Sequence, residues 1–469
     1  MQKRFWIAAM AALASLTGQA QTIEEIKDLS AFRNPGPSWQ LAGGVYANPD
    51  RGGAFAVTPG RSVLVHLPGK RKAGTDLYTR SEYGDMDLEL EYQLARGSTS
   101  GIWLQGRYEV RLSDSWGTRH LTANDNGGIS GYGNAAGPSG GFGGRPPRLN
   151  ASRAPGLWQT IKIAFRAPRF DATGRKIRDA VIEEVTLNGT LVQENVILPG
   201  PARGSEPEEE AALGPLRFLG SQGAVAFRNI RVVRYGPEGK PKADVGGRPP
   251  APIYVNADAN TTLRSFMDIP GEKRLVHALS AGSKEQAHYT YDLDNGSLFQ
   301  VWRGGFLDAT PMWHSRGDGS SRPRTHPVFL GSPVPSVAQL ESPQADWPSD
   351  TSGSGFKCLG YLMGTENEPV FRYRTWGVEI TDAPHALDQG IGIARKITVK
   401  RTQQDDVPLY HLVARAGQIR KIGPGLYLIG DNVWYVRVGG RAKPILRRKD
   451  GALELLLPLN KEISYSILF

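Results

Sequence analysis

Five side chains able to hold or act on a polar ligand recur at every second position of one short segment: Trp103, Gln105, Arg107, Glu109 and Arg111. Between them stand Ile102, Leu104, Tyr108, Val110 and Leu112. Successive side chains of an extended chain point to opposite faces, so a single strand over residues 101–112 buries the second set and displays the first. The displayed set suits a sugar. An indole stacks on a pyranose ring, while the amide, the two guanidinium forks and the carboxylate bond hydroxyl or carboxylate oxygens. An amphipathic strand with a solvated polar face carries the same pattern, and on these residues alone both readings stand.

Other groupings compete. Asp87, Glu89 and Glu91 place three carboxylates on one strand face at steps of about 7 Å, a spacing a retaining glucanase uses for nucleophile and acid/base. Asp85 and Gln93 continue the same polar register, which a solvated outer face explains more simply. Residues 300–314 gather Trp302, Arg303, Phe306, Asp308, Trp313 and His314; a glycan site uses such groups, and core aromatics around a Gly304-Gly305 turn look the same. The eight histidines include no i, i+2 or i, i+4 pair, so no metal and no other cofactor is expected; calcium on Asp125 and Asn126 stays open. A phosphate-cradling loop ending in Lys-Ser/Thr, a dinucleotide fingerprint and a nucleophile elbow are all missing, which excludes those enzyme classes at motif level.

These groups need a scaffold, and its composition points to strands. With 57 glycines, 33 prolines and no long amphipathic helical period, the chain reads as all-β. Residues 24–236 form a first domain, in which 85–94 alternates without error and 158–165, 180–187 and 224–235 follow as strands, with an Asn188-Gly189 hairpin turn. The Gly- and Pro-rich stretch 127–153 is a loop of the length that carries function. Residues 237–252 (PEGKPKADVGGRPPAP) read as a linker, and 253–469 as a second mainly-β domain with short runs such as 289–293, 297–302, 370–373, 391–400, 426–438 and 453–457.

The N-terminus has a basic start, an apolar run from Phe5 to Leu16 and small residues up to Ala20, the pattern of a cleaved secretory signal over residues 1–20. The expected product is periplasmic or secreted, with no integral membrane segment after signal removal. Cys358 is the single cysteine, so neither an intrachain disulfide nor a thiolate metal cluster can form. The formal charge of +10 comes from scattered arginines, and the patches Lys70-Arg71-Lys72 and Arg447-Arg448-Lys449 lack interleaved aromatics, so no nucleic-acid partner is expected.

The first domain resembles the 3-keto-disaccharide hydrolase domain family. The resemblance runs through residues 83–89 (YGDMDLE), 98–110 (STSGIWLQGRYEV), 114–117 (DSWG), 125–129 (DNGGI), 145–147, 155–159 (PGLWQ), 167–171 (APRFD), 214–217 (GPLR) and 225–230 (VAFRNI). It implies a concanavalin-like, jelly-roll β-sandwich acting on an oligosaccharide or glycoside already oxidised at C3. Net hydrolysis then proceeds by C2 deprotonation, β-elimination and hydration, with Glu109 and Arg107 as catalytic residues. Trp103, Gln105, Arg111, Asp114, Trp116 and Gln222 are the expected substrate-binding residues. Two positions depart from the family: Ser130 stands where relatives have Tyr, and Ser221-Gln222-Gly223 stands where close relatives read Asp-His-Gly. The rim imidazole is therefore missing, and the alternative is a catalytically degenerate glycan-binding protein. The second domain resembles a β-rich region of large exported proteins from glycan-degrading bacteria, there found beside haem domains. With no Cys-x-x-Cys-His motif, no covalent haem is expected.

Overall fold

The computed structural model describes residues 21–69, 74–133, 141–220, 222–236, 239–240, 251–271, 274–364, 366–401, 408–440 and 442–469. The expected signal 1–20, most of the 237–252 linker, the Lys70-Arg71-Lys72 patch and Ser221 lie outside the described residues.

Strand Met86–Leu94 shows how the sequence makes this sheet. Leu88, Leu90 and Tyr92 are buried, while Asp87, Glu89 and Glu91 alternate with them at the surface, the period-2 signature of a strand covered on one face. It lies in the middle of a large antiparallel sheet ordered Thr190–Leu198, Ala180–Leu187, Gln159–Arg166, Met86–Leu94, Val225–Tyr235, Ala56–His66 and Trp39–Tyr46, with Gln21–Ile26 also paired to Val225–Tyr235. A second sheet runs Phe32–Arg33, Leu77–Tyr83, Gly214–Phe218, Thr99–Leu104 and Tyr108–Ser113. Leu88, Ile161, Ile163 and Val232 from the first sheet share one core with Leu77, Ile102, Leu104, Val110 and Leu216 from the second. Two sheets closed over a common apolar layer make a β-sandwich. The expected hairpin at Asn188-Gly189 is there, with φ of 48° and 73° at the two residues.

The second half is also strands. An eight-stranded sheet runs Lys357–Met363, Pro369–Thr375, Val378–Ala386, Gly392–Arg401, Glu462–Leu468, Trp434–Val438, Leu426–Ile429 and Ile419–Gly423, accompanied by a four-stranded and a five-stranded sheet around a separate core. The five-residue Thr310–His314 is the longest helix among the described residues, and no helix there is long and apolar enough to cross a membrane. Within 300–314 the first part serves the core, with Trp302 and Phe306 buried and stacked and the Trp302 indole donating to the Gly305 and Phe306 carbonyls, while Trp313 is exposed.

The halves dock through an apolar cluster of Ala154 and Leu157 with Leu426, Leu428, Tyr435 and Leu468. The Tyr435 hydroxyl lies 2.9 Å from Pro155 O and 3.1 Å from Ala47 O, and Asn432 Nδ2 donates to Val45 O at 2.6 Å.

Within the sandwich, Asn126 fastens residues 113–130 beneath the smaller sheet. Its Oδ1 accepts from the Tyr92 hydroxyl (2.7 Å) and Ser113 N (3.3 Å), and its Nδ2 donates to Ser152 Oγ and Gln159 Oε1. Asn126→Ala leaves the buried Tyr92 hydroxyl without an acceptor. It is expected to cost about 1–3 kcal/mol, read as a lower urea midpoint at unchanged m-value.

Candidate functional site

Residues 101–112 fold as a hairpin and not as one strand. Thr99–Leu104 pairs antiparallel with Tyr108–Ser113, setting Trp103 opposite Glu109 and Gly101 opposite Arg111. Gln105 (φ 55°) and Gly106 (φ 69°) take the left-handed conformation of a mirror-image tight turn, closed by Arg107 N on Leu104 O at 3.0 Å. Odd residues face odd residues across it, so the two arms keep the alternation of one continuous strand. Glutamine at the first left-handed position is a poor turn signal, which is why the sequence pattern reads as unbroken.

Four expected site residues are committed elsewhere. Gln105 Nε2 donates to Tyr83 O and Ala212 O, both at 2.9 Å. The Arg107 guanidinium donates to the carbonyls of Glu209 (2.5 Å), Gln105 (3.0 Å) and Leu213 (3.4 Å). Both side chains are buried and hold the 209–213 segment on the sheet, so Arg107 is not placed to stabilise an enolate, nor Gln105 to bind sugar. Asp114 Oδ2 accepts from Gly97 N at 2.8 Å and anchors that turn. Trp116 donates its indole N–H to Phe469 O at 3.0 Å, inside the contact between the halves, and so presents no stacking platform to a substrate.

Trp103, Glu109, Arg111 and Gln222 do come together. The Ser130 hydroxyl donates to Glu109 Oε2, while Oε1 lies 3.3 Å from Arg111 Nη1 without a hydrogen bond of its own. Glu109 is only 3% exposed and Trp103 only 4%, so neither is displayed as the strand pattern implied. Gly101 makes the space, since a Cβ there would fall 2.3 Å from Oε1. Burial pushes the Glu109 pKa up; Arg111, the Ser130 hydroxyl, the Trp103 indole and Arg217 pull against it. The result is a carboxylate more basic than an exposed glutamate.

Arg217, on the adjacent strand and in register with Trp103, lays its guanidinium 4.9 Å from the indole centroid and pairs with Asp76 at 2.6 Å. Gln222 Oε1 accepts from the Thr99 hydroxyl at 2.7 Å and lies 3.5 Å from Arg111 Nη1. Sequence reasoning did not single out Arg217 or Asp76. Arg217 stands within the 214–217 stretch that carries the family resemblance; Asp76 gives no local signal.

The rival carboxylates lie on the opposite outer face of the sandwich, each tied to a cation: Asp87 to Lys240 (2.7 Å), Glu89 to Lys162 (3.0 Å) and Glu91 to Arg228 (2.6 Å). Each of the three is thus paired at the surface, while Asp85 and Gln93, which continue the register in sequence, are buried rather than solvated. The oxygens of Asp125 are taken by protein donors, the Ser115 hydroxyl at 2.8 Å and Thr122 N at 2.7 Å, and Asn126 is bonded as above, which removes the calcium alternative.

Residues 23–233 match the family model described as the 3-keto-alpha-glucoside-1,2-lyase-like domain. The first domain belongs to that family. The chain therefore carries a carbohydrate-active domain. No curated protein matches the chain. Among solved structures, a candidate glycosyl hydrolase from Parabacteroides distasonis is 20% identical, with a TM-score of 0.30 over 49% of this chain and 93% of that one. Another from the same organism is 15% identical, with a TM-score of 0.25 over 42% and 87%. At these TM-scores neither contributes to the argument. In the lyase-like domain both departures from the family fall on the same pair of charges: Ser130 bonds Glu109, and Gln222 borders Arg111.

A carboxyl whose pKa rises on folding stabilises the fold fully below the ordinary glutamate pKa and loses that contribution as pH climbs through the raised value. Glu109→Gln removes the loss. Its stability relative to the natural chain should therefore increase between about pH 4 and about pH 8 in urea denaturation. A flat difference would mean that Glu109 titrates like an exposed side chain.

Proposed function

We propose that the lyase-like domain cleaves glycosides already carrying a ketone at C3 of the sugar, with Glu109 as the base. The ketone acidifies the C2 proton. Glu109 Oε1 takes that proton, the electron pair forms the C1=C2 double bond, and the C1–O bond breaks to release the aglycone. Water then adds its oxygen at C1, one of its protons going to the departed alkoxide and the other staying on the new C1 hydroxyl, while Glu109 returns its proton to C2, giving net hydrolysis. Arg217 and Arg111, rather than Arg107, flank the carboxylate and are assigned the negative charge that develops on the C3 oxygen. Trp103 is assigned the sugar ring.

The observation that carries this reading is the buried, raised-pKa Glu109 with one unbonded oxygen between Trp103 and two guanidinium groups. Ala202 packs with Trp103 and Gly204 borders its ring, so on this reading the 202–204 segment parts to admit the sugar. We further propose that residues 1–20 export the protein, so that it acts in the periplasm or outside the cell.

A second reading, a glycan-binding protein without turnover, draws on Gln222. An amide has no proton to give a leaving alkoxide, so the domain has no evident acid where close relatives have an imidazole. Incubation with a 3-keto-disaccharide and with its unoxidised parent separates the two. The expected outcome is cleavage of the keto sugar alone, with Glu109→Gln lowering kcat by about 10²–10⁴ and Gln222→His raising it. Binding of both sugars without cleavage of either would establish the second reading.

A further inference from the structure

A cavity of about 20 Å³ closes between the two halves, bordered by Arg153, Asn188 and Thr190 from the first and by Arg303, Thr325 and His326 from the second. That is room for one small ion or one water. Its polar lining is unbalanced. Arg303 is 8% exposed, and its Nη2 donates to Gln389 O at 3.2 Å, but its Nε and Nη1 have no partner. The Thr190 hydroxyl, 4% exposed on the opposite wall, has none either.

Among the described residues no carboxylate pairs with this guanidinium. Burial alone acts on Arg303, bringing its pKa down to about 10, with no carboxylate opposing the shift. The other titratable groups at hand are basic: burial holds the His326 pKa down, with Arg153 and Lys162 adding to it, and burial together with Arg303 does the same to His288. Phe469 also borders the cavity, but its backbone oxygen accepts from the Trp116 indole and it makes no ion pair with Arg303. A buried cation left with unbonded N–H groups is costly unless a charge meets it. A water can accept from the guanidinium but supplies no charge.

We propose that this cavity binds one small monovalent inorganic anion, of about the size of chloride, held by Arg303 and the Thr190 hydroxyl. The walls come from both halves, so the anion bridges them. The Asn188-Gly189 turn lies under the second half here: a Cβ at Gly189 would fall 2.3 Å from the His326 ring.

The test measures the thermal midpoint of the full chain at constant ionic strength, replacing sodium methanesulfonate by sodium chloride or bromide. The expected result is a saturable rise with either halide, lost in Arg303→Met and shifted at least tenfold to higher halide concentration in Thr190→Val. Bromide-soaked crystals should give an anomalous peak within hydrogen-bond distance of Arg303 Nε or Nη1. If Arg303→Met does not fold, the Thr190→Val titration and the bromide peak decide. A water without anomalous signal at that position, or a halide effect unchanged in Thr190→Val, overturns the proposal.

Discussion

Removing a carboxylate from water is expensive unless donors or cations replace the lost solvation, and the outer face of the smaller sheet is organised around that requirement at Glu109. Gly101 gives the side chain space diagonally across the hairpin, Arg111 supplies charge, and Ser130 supplies a hydroxyl. The compensation is incomplete: one carboxylate oxygen keeps no hydrogen bond, and burial outweighs the neighbouring cations in setting the direction of the pKa. Incomplete compensation is what separates a basic group from a structural ion pair. Arg217, by contrast, answers Asp76 at 2.6 Å and is oriented by it over the indole.

The sandwich places this chemistry by a simple rule of faces. Each sheet turns one side chain set into the shared core and the other outward, so the carboxylates of Met86–Leu94 and the Glu109 cluster end on opposite outer surfaces. On the larger sheet the carboxylates meet lysine and arginine partners on the surface, where such pairs contribute little and remain solvated. On the smaller sheet the hairpin packs against residues 202–213, which excludes water and changes the acid–base character of the same residue type. Carboxylates on two alternating strands thus differ in chemistry because of what lies over them.

The junction between the halves is built from backbone as much as from side chains. Tyr435, Asn432 and Trp116 all address carbonyls of the opposite half, and the apolar cluster around Leu157 and Leu428 fills the space between them. Carbonyls make partners whatever the side chain above them, so this contact leaves little trace in the pattern of either half. That is the physical reason Trp116 resembles a sugar platform in sequence and is a junction residue in the fold.

Strict alternation along Met86–Leu94, the apolar periods of Gln159–Arg166 and Val225–Tyr235, and Asn188-Gly189 at its turn were enough by themselves to determine an all-β fold, because a strand's period and a turn's φ preference are local properties. Glu109, Trp103 and Arg111 were legible as candidates for the same reason, and Gln222 through the family resemblance. Tertiary structure alone decided which of the alternating residues share a site. A tight turn at Gln105-Gly106 preserved the odd–even pattern while sending Gln105 and Arg107 into backbone contacts, and it brought Trp103 and Glu109 face to face. Arg217 and Asp76 joined them from strands and loops more than a hundred residues apart, a closeness set by sheet order and invisible to any local period.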